Sequence, residues 1–312
     1  MFKSIVVRFS KLMFVPFNLI LKYNYFVRVY NLIYNYSPHF LVKLFVRFVD
    51  FPRVNITWNV MLFNKKNVIT PIKIDDQLTY EFAMSYRWHS RGLAKIESLL
   101  NDHYSIDIPW IDIGANMGLR SLYALSISRP VFMFEPNTDL KKYIEERCII
   151  NSFGNYEIFE IGVSNQKGEA TFYIDETTYN SSLENKVAGA LKVDRRVQVQ
   201  VDKLDSIMAG KIDGVSTFCM KIDVEGHEYA VLSGALDLIR KYSPTMIIEI
   251  NEKGDHFVSI VKLLSELNYQ IFEVGYFGIG RYSRCVDIMT VNNFKYNDFL
   301  FTTDIQLIEK LK

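Results

Sequence analysis

Short apolar segments recur between residues 109 and 303, and segments with a helical hydrophobic period separate most of them. The apolar segments are PWIDI (109–113), PVFMF (130–134), YEIFEI (156–161), TFCMKI (217–222), TMIIEI (245–250), YQIFEV (269–274) and DFLFTT (298–303). Helical periods fill 117–128, 138–150, 228–241 and 255–267, and IQLIEKLK follows the last strand. Buried strands that alternate with helices are typical of a doubly wound, mostly parallel α/β sheet. The pattern predicts such a sheet with about seven strands.

The interval between residues 161 and 217 departs from this alternation. It contains two further predicted strands, GEATFYI and RRVQVQVDKL, which flank a polar loop over 175–190 with the letters NSSL. An insertion at this point lies near the carboxyl edge of the sheet, where open α/β folds bind their ligands. We therefore expect the loop to border a ligand site.

The amino-terminal part differs in charge from the rest of the chain. Residues 1–50 hold seven Lys and Arg side chains and one Asp, whereas the whole 312-residue chain has a formal net charge of +1. The remaining residues are therefore net acidic, which argues against a nucleic-acid partner. The apolar stretch 12–21 is broken by Pro16 and Asn18 and is shorter than the roughly 20 residues that span a bilayer. It predicts neither a transmembrane helix nor a signal peptide.

Two interpretations of residues 1–50 stay open. Their basic and aromatic pattern fits a helical subdomain that packs on the main body or on a second copy, and it also fits peripheral contact with anionic lipid. Residues 54–80 predict short strands, and 80–100 predict a helix. We expect an amino-terminal helical and β extension over 1–75 and the main domain over 76–312. Three scattered cysteines indicate reduced thiols, so we expect a cytoplasmic protein, with the inner membrane face as its alternative location.

The segment WIDIGANMGLRS, 110–121, places two glycines four residues apart after the first predicted strand. A strand that passes through Gly114 and Gly118 into a helix forms a turn whose backbone can approach a ligand, because glycine has no Cβ. Pyrophosphate-binding turns follow G-x-G-x-x-G. Here Asn116 stands in place of the second glycine, and the third is missing. The turn favours a nucleotide without a pyrophosphate.

The next predicted strand ends in MFEPN and carries Glu135 at its tip. A carboxylate at this position can accept hydrogen bonds from both hydroxyls of a ribose. A glycine turn with a ribose-binding acid fits a nucleoside whose tail is charged but not phosphorylated, such as S-adenosylmethionine. The turn alone is a common pattern and Glu135 alone could be a solvated strand end, so their order on adjacent strands carries the inference.

A third group of polar residues lies in KIDVEGHEYAVLSGA, 221–235, at the end of another predicted strand. Its ionisable members are Lys221, Asp223, Glu225, His227 and Glu228. Neighbouring charges shift one another's pKa values, so such a cluster at a strand end indicates chemistry. The alternative interpretation is a solvated helix start, where acidic side chains are favoured near the positive end of the helix dipole.

These motifs together resemble the FkbM-type family of S-adenosylmethionine-dependent methyltransferases over about residues 105–275. The resemblance rests on IDIGANMG, FEPN, NSSL, LDSI, KIDVEGHEYAVLSGA and IIEI, in that order. It implies a class I methyltransferase fold, a Rossmann-like sheet of seven strands with the last strand antiparallel. It also implies O-methylation, often of a sugar hydroxyl in a natural product or a glycan.

The resemblance also assigns site residues. The residues implied to line the methionine part of the donor are Asp112, Gly114, Asn116 and Gly118, and we expect Ala115 to bind the cofactor as well. Glu135 would hold the ribose, with Asn137 beside it. The residues that match the family pattern Lys-x-Asp-x-Glu-Gly, and that we expect to be catalytic together with His227, are Lys221, Asp223 and Glu225. His227 stands where the family often has a small residue, which leaves its role open.

The mechanism has open alternatives. Methyl transfer to a sugar hydroxyl needs a base, and we expect Asp223 or His227 to serve. Asp223 and Glu249 could share a divalent metal, although two carboxylates are weak support for one. Other functions are a nicotinamide-dependent sugar oxidoreductase, which the glycine pattern disfavours, and a cofactor-binding scaffold at a membrane-associated assembly. The expected partner is a small-molecule or glycan acceptor.

Overall fold

The computed structural model describes residues 56–62, 66–72, 91–175, 181–184, 193–251, 254–275 and 296–311. The chain divides into two compact units, Met1–Arg87 and Trp88–Lys312. In the first unit, the short strands predicted for this region are present as β1 (Ile56–Leu62) and β2 (Lys66–Ile72), and the two strands pair antiparallel. The predictions for residues 1–50 and the predicted boundary after residue 75 lie outside the described residues.

The second unit contains alternating strands and helices. In chain order they are α1 (Arg91–His103), β3 (Trp110–Ile113), α2 (Ser121–Ser126), β4 (Val131–Phe134), α3 (Thr138–Ile150), β5 (Tyr156–Phe159), β6 (Gly162–Val163), β7 (Gly168–Asp175), β8 (Val193–Asp202), α4 (Leu204–Ile207), β9 (Cys219–Ile222), α5 (Glu228–Ser233), α6 (Leu236–Tyr242), β10 (Thr245–Glu249), α7 (Asp255–Glu266), β11 (Gln270–Glu273), β12 (Asp298–Thr302) and α8 (Ile305–Leu311). None of the described helices combines the length and the apolar character that a bilayer-spanning helix requires.

Seven strands form the main sheet, in the order β11-β12-β10-β9-β3-β4-β5. The neighbours from β10 to β5 run parallel, and β12 is antiparallel to both β10 and β11. The prediction of a doubly wound sheet with an antiparallel last strand is confirmed. The chain winds outward from β3 in one direction and from β9 in the other, so the strand order reverses between these two neighbours. Ligands of open α/β sheets bind at such a switch point.

Both faces of the main sheet are covered, which explains why its strands are apolar almost throughout. Side chains alternate between the two faces of a strand. In β10, Met246 and Ile248 pack in the core formed with α5, α6 and α7, whereas Ile247 packs in the core formed with α1 and α8. All three side chains are fully buried. The apolar residues of both alternating positions therefore hold the three layers together.

The predicted insertion forms a separate sheet of three strands in the order β6-β8-β7. Both predicted strands are present, and the two-residue β6 is an addition that was too short to predict from its pattern. Ser182 pairs with Tyr173 of β7 through two backbone hydrogen bonds of 2.9 and 3.0 Å. This pairing attaches residues 181–184, the described part of the polar loop, to the edge of the small sheet.

The helix predicted over 228–241 is wrong in one respect, because it is two helices, α5 and α6. The interruption falls at Gly234, where a Cβ atom would lie 2.0 Å from the carbonyl oxygen of Ser164. Only glycine allows this close approach between the helix and the segment after β6. The break is therefore a packing requirement that helical periodicity does not reveal.

Candidate functional site

The site residues predicted from the sequence lie along the carboxyl edge of the main sheet. Strands β3, β4, β9 and β10 are parallel and end there, and the antiparallel β12 begins there. Strand register sets Asp112 beside Lys221 and sets Glu249 opposite Asp298. The structure therefore brings the three predicted motifs to one edge, on both sides of the switch point.

The turn after β3 has a backbone that requires its glycines. Gly114 has a φ of +79°, and a Cβ at this position would lie 1.8 Å from the carbonyl oxygen of Asp223. Gly118 has a φ of +73° and packs against Ile144. The amides of Gly114 and Ala115 both donate to the carbonyl of Phe134, each at 3.0 Å. The turn is thereby fixed to the end of β4 and lies directly against the turn after β9.

Asp112 is a fully buried carboxylate on β3. Its Oδ2 accepts a 2.7 Å hydrogen bond from the hydroxyl of Ser121, while its Oδ1 is buried without a hydrogen-bond partner in the described part of the chain. Burial raises the pKa of Asp112, and the positive charge of Lys221 opposes that rise. A buried acceptor oxygen of this kind is costly unless a donor reaches it. Asp112, predicted to contact the donor, thus has one acceptor oxygen that no donor of the described residues reaches.

Glu135 follows β4 and is only 6% exposed. Its Oε2 accepts from the amide of Asn116 and its Oε1 accepts from the amide of Asn137, both at 2.8 Å. Burial raises the Glu135 pKa to about 7, although both backbone hydrogen bonds lower it. Each carboxylate oxygen has a second lone pair. Glu135 is therefore held in one orientation with acceptor capacity left over.

Asn137 begins α3 and caps it, because its Oδ1 accepts from the amide of Asp139 at 3.2 Å. Its Nδ2 is buried and has no hydrogen-bond partner among the described residues. The backbone of Asn116 is left-handed, with a φ of +51°, which asparagine tolerates better than most residues. The backbone amides of these two asparagines donate to the two oxygens of Glu135. The carboxylate predicted to bind the ribose is therefore surrounded by polar groups of fixed position.

Lys221 and Asp223 form an ion pair at the end of β9. The Nζ of Lys221 lies 2.5 Å from Oδ2 of Asp223, and the lysine side chain is 1% exposed against 28% for the aspartate. Burial alone would lower the Lys221 pKa, but the carboxylates of Asp223 and Asp112 outweigh it and raise that pKa above its usual value. The lysine is thus a buried, permanent cation that orients a partly exposed carboxylate.

Two more carboxylates approach Asp223 from β10 and β12. The charge of Asp223, followed by burial, raises the pKa of Glu249 well above its usual value. Burial also raises the pKa of Asp298, whose Oδ1 is buried with no hydrogen-bond partner in the described ranges. Like charges at short distance resist joint ionisation. This part of the edge therefore holds protons, or other cations, more readily than isolated carboxylates do.

Glu225 completes the acidic group from the turn after β9, where its φ is +51°. Asn251 donates to its Oε2 at 3.0 Å, and burial together with the charge of Asp223 raises its pKa to about 7. Carboxylate oxygens of Asp223, Glu225 and Glu249 lie within 4.8 Å of one another. Such oxygens are the ligands that hard divalent cations prefer. If the chain holds a metal, these three side chains would bind it.

His227 lies at the start of α5 with both ring nitrogens engaged. Its Nδ1 is 2.6 Å from Oε1 of Glu184, and its Nε2 is 3.0 Å from the hydroxyl of Ser164. Its neighbour Glu228 is buried and bonds the ring of His256 at 2.8 Å and the amide of Gly226 at 2.8 Å. The turn over 223–228 is therefore held by side chains from three separate segments.

Sequence reasoning did not find three of these neighbours, namely Glu184, Ser164 and Asp298. An antiparallel last strand must begin at the carboxyl edge, so the topology implied by the resemblance contained a signal for Asp298. Glu184 and Ser164 had no such signal, because the paths of the segments that connect the strands of the small sheet decide where they lie. The acidic edge is consequently larger than the motifs alone indicate.

Residues 112–271, just over half of the chain, match the model of the Methyltransferase FkbM domain. The chain belongs to the FkbM methyltransferase family. The observed sheet, with its antiparallel β12, is the class I methyltransferase fold that the sequence resemblance implies.

Individual proteins similar to this FkbM-family chain include a hexuronic acid methyltransferase, AglP, from Haloferax volcanii. It is 28% identical over 171 residues, which are 55% of this chain and 66% of that protein. The chain thus spans just under two thirds of the relative. An FkbM methyltransferase structure from Methylobacillus flagellatus has 16% identity and a TM-score of 0.41, with coverage of 64% of this chain and 44% of its own. An rRNA methylase structure from Streptococcus thermophilus has 8% identity and a TM-score of 0.40, with coverage of 68% and 94%.

Proposed function

We propose that the protein is an S-adenosylmethionine-dependent O-methyltransferase that modifies a sugar hydroxyl in a glycan or a natural product. The observation that carries the proposal is the buried Glu135 carboxylate beside the glycine turn, at the switch point of an FkbM-family sheet. The similarity to a hexuronic acid methyltransferase supports a sugar as the acceptor.

The residues present fit this methyl donor. Glu135 has acceptor capacity for two ribose hydroxyls, and the glycine turn lies directly beside it, since the Asn116 amide of this turn donates to its Oε2. The buried Oδ1 of Asp112 can accept a hydrogen bond from the donor's amino group. The acidic edge also favours a ligand with an ammonium and a sulfonium charge. When bound, S-adenosylmethionine supplies an electrophilic methyl group on its sulfur.

The chain's own contribution to transfer is to orient the acceptor and remove its proton. We propose Asp223 as the residue that takes this proton, because it is partly exposed at the edge and is oriented by the Lys221 ammonium. His227 is the weaker candidate, since both of its nitrogens contact protein groups. Glu225 lies beside Asp223 and would contact the same acceptor.

A divalent cation is the second element to test. Asp223, Glu225 and Glu249 have the donor chemistry for Mg²⁺, and a cation held there would lower the pKa of an acceptor hydroxyl. A mechanism with proton transfer to Asp223 alone and a mechanism with a bound cation predict different results when methyl transfer is measured in excess chelator. Transfer that continues in excess chelator assigns the step to Asp223 alone, whereas transfer that stops and returns with added Mg²⁺ assigns a metal.

The test of the proposed function is transfer of a labelled methyl group from S-adenosylmethionine. A first panel holds the methyl glycosides of glucose, galactose, mannose and glucuronic acid, and glycan and lipid extracts extend it. We expect label in at least one sugar fraction and none with Asp223→Asn, which should still bind S-adenosylhomocysteine. If the protein binds S-adenosylhomocysteine but transfers label to no acceptor, the result would favour the alternative of a non-catalytic, cofactor-binding scaffold. The nicotinamide alternative has no support from family membership.

A further inference from the structure

Three side chains from separate segments form a hydrogen-bonded series at the carboxyl edge. It runs from the carboxylate of Glu184 through the ring of His227 to the hydroxyl of Ser164, with separations of 2.6 and 3.0 Å. His227 is 13% exposed and Glu184 is 40% exposed, so the contact lies at the surface of the site. This series joins the segment after β6, the polar loop and the start of α5, whereas the Glu135 carboxylate accepts from the amides of Asn116 and Asn137.

Ser164 is the fixed end of this series. Its amide donates to the carbonyl of Asp202 at 2.9 Å, and its own carbonyl lies against Gly234, where a Cβ would approach it to 2.0 Å. The residue is 6% exposed. Because the backbone of this buried residue is held from two sides, its hydroxyl is an anchor for the His227 ring rather than a mobile nucleophile.

Glu184 is the end that belongs to the polar loop. Its amide donates to the hydroxyl of Ser182 at 2.9 Å, and that hydroxyl donates to the carbonyl of Glu225 at 2.7 Å. Ser182 is 1% exposed and is paired with Tyr173 of β7. Residues 181–184 are therefore attached on one side to the small sheet and on the other to the turn that carries Asp223 and Glu225.

We propose that residues 181–184 form a wall of the acceptor site, and that Glu184 is a positioning residue that holds this wall in place through His227. The inference rests on the proposed function. The wall contacts the turn that carries the proposed proton acceptor, whereas donor contacts come from β3 and β4. Loss of the Glu184–His227 contact should therefore weaken acceptor binding and leave donor binding unchanged.

The experiment compares Glu184→Ala, Glu184→Gln, His227→Ala and the double variant Glu184→Ala/His227→Ala. The acceptor probe is the most active of the four methyl glycosides, and donor affinity is measured with S-adenosylhomocysteine. Loss of a charge-assisted hydrogen bond should raise the acceptor KM about tenfold in each single alanine variant. The acceptor KM of the double variant should equal that of each single alanine variant, because either substitution already removes the Glu184–His227 contact. Glu184→Gln keeps an oxygen acceptor for the ring and should fall in between.

The matched control is Glu169→Ala, which removes an exposed strand carboxylate whose partner is Gln200. This control should change neither the acceptor KM nor the affinity for S-adenosylhomocysteine. A second readout, hydrogen exchange of peptides that contain 181–184, should increase in Glu184→Ala and not in the control.

Three results would overturn the proposal: an unchanged KM with unchanged exchange, a donor affinity that falls as much as the acceptor affinity, or a large loss of kcat in His227→Ala alone. Wild-type protein that transfers no methyl group would instead contradict the proposed function, and the exchange measurement would still test the wall.

Discussion

Glu135 illustrates how the fold sets the chemistry of one side chain. The residue ends a buried strand, and the amides of Asn116 and Asn137 point at its two oxygens because the flanking turns are fixed. Burial outweighs both hydrogen bonds and raises its pKa to about 7. The carboxyl therefore changes charge near neutral pH. In the proposed donor site, its charge should determine how strongly ribose hydroxyls bind.

We expect affinity for S-adenosylhomocysteine to increase as pH rises from 6 to 8. The ionised carboxylate is the better acceptor, so affinity should change by up to about tenfold per pH unit below pH 7. The contribution of Glu135 to the free energy of unfolding changes with pH in the opposite direction. Because its pKa is raised in the folded protein, the protonated carboxyl stabilises the fold at low pH, and this stabilisation is lost as pH rises through about 7. Calorimetric titrations at pH 6, 7 and 8 check this. Glu135→Gln should bind more weakly and with little pH dependence, and an equal slope in both proteins would refute the assignment.

Gly114 supports a second prediction at this scale. Alanine would place its Cβ 1.8 Å from the Asp223 carbonyl, in a backbone conformation with a φ of +79°. We expect Gly114→Ala to lower the free energy of unfolding by about 3 kcal/mol or more and to abolish donor binding. Gly154→Ala is the control, because nothing lies within 4 Å of its added Cβ. Denaturant unfolding of both variants checks the prediction, and equal stabilities would show that the turn has room to shift.

At the scale of elements, most site residues lie at the ends of strands, and the order and register of these strands bring them together. Their alternation with helices was predictable from the sequence pattern, because a buried parallel strand is apolar on both faces and its polar end marks the sheet edge. The antiparallel last strand was expected only from the resemblance to the family. The break at Gly234, the Glu184–His227 contact and the approach of Asp298 to Glu249 were not predictable from periodicity. Each of these features depends on contacts between segments that are far apart in the sequence, and local sequence patterns carry no information on such contacts. The residues proposed to bind the donor thus have clearer sequence signals than the residues proposed to border the acceptor.

The strand β10 allows a direct test of this layered core. Ile247 is fully buried between the main sheet and the layer that contains α1 and α8. Ile247→Ala should lower the free energy of unfolding by about 3 kcal/mol, from lost apolar burial and a cavity. Ile149→Ala, at a side chain that is 73% exposed, should change it by less than about 0.5 kcal/mol. The comparison uses urea unfolding followed by circular dichroism, and similar losses in both variants would contradict the layer assignment.

At the scale of the whole molecule, the residues proposed to bind the methyl donor, Asp112 to Asn137, lie within the unit Trp88–Lys312. The described core of that unit consists of its own strands and helices. We expect a fragment of residues 88–312 to bind S-adenosylhomocysteine as the full chain does. Calorimetry on the fragment and the full chain checks this, with circular dichroism to show that the fragment is folded. A folded fragment that fails to bind would mean that residues 1–87 complete the site.

The two interpretations of residues 1–50 separate in a sedimentation assay of the full chain with vesicles. Peripheral membrane contact through seven basic side chains should give binding to anionic vesicles that weakens with salt. A packing subdomain should leave the chain in the supernatant at every lipid composition.

The most direct test of the account is a calorimetric comparison of S-adenosylhomocysteine and NAD on the full chain. The glycine turn, the buried Asp112 oxygen and Glu135 predict saturable binding of one S-adenosylhomocysteine per chain and no measurable binding of NAD. Binding of NAD in preference to S-adenosylhomocysteine, or binding of neither by folded protein, would contradict the assignment of this edge as a methyl-donor site.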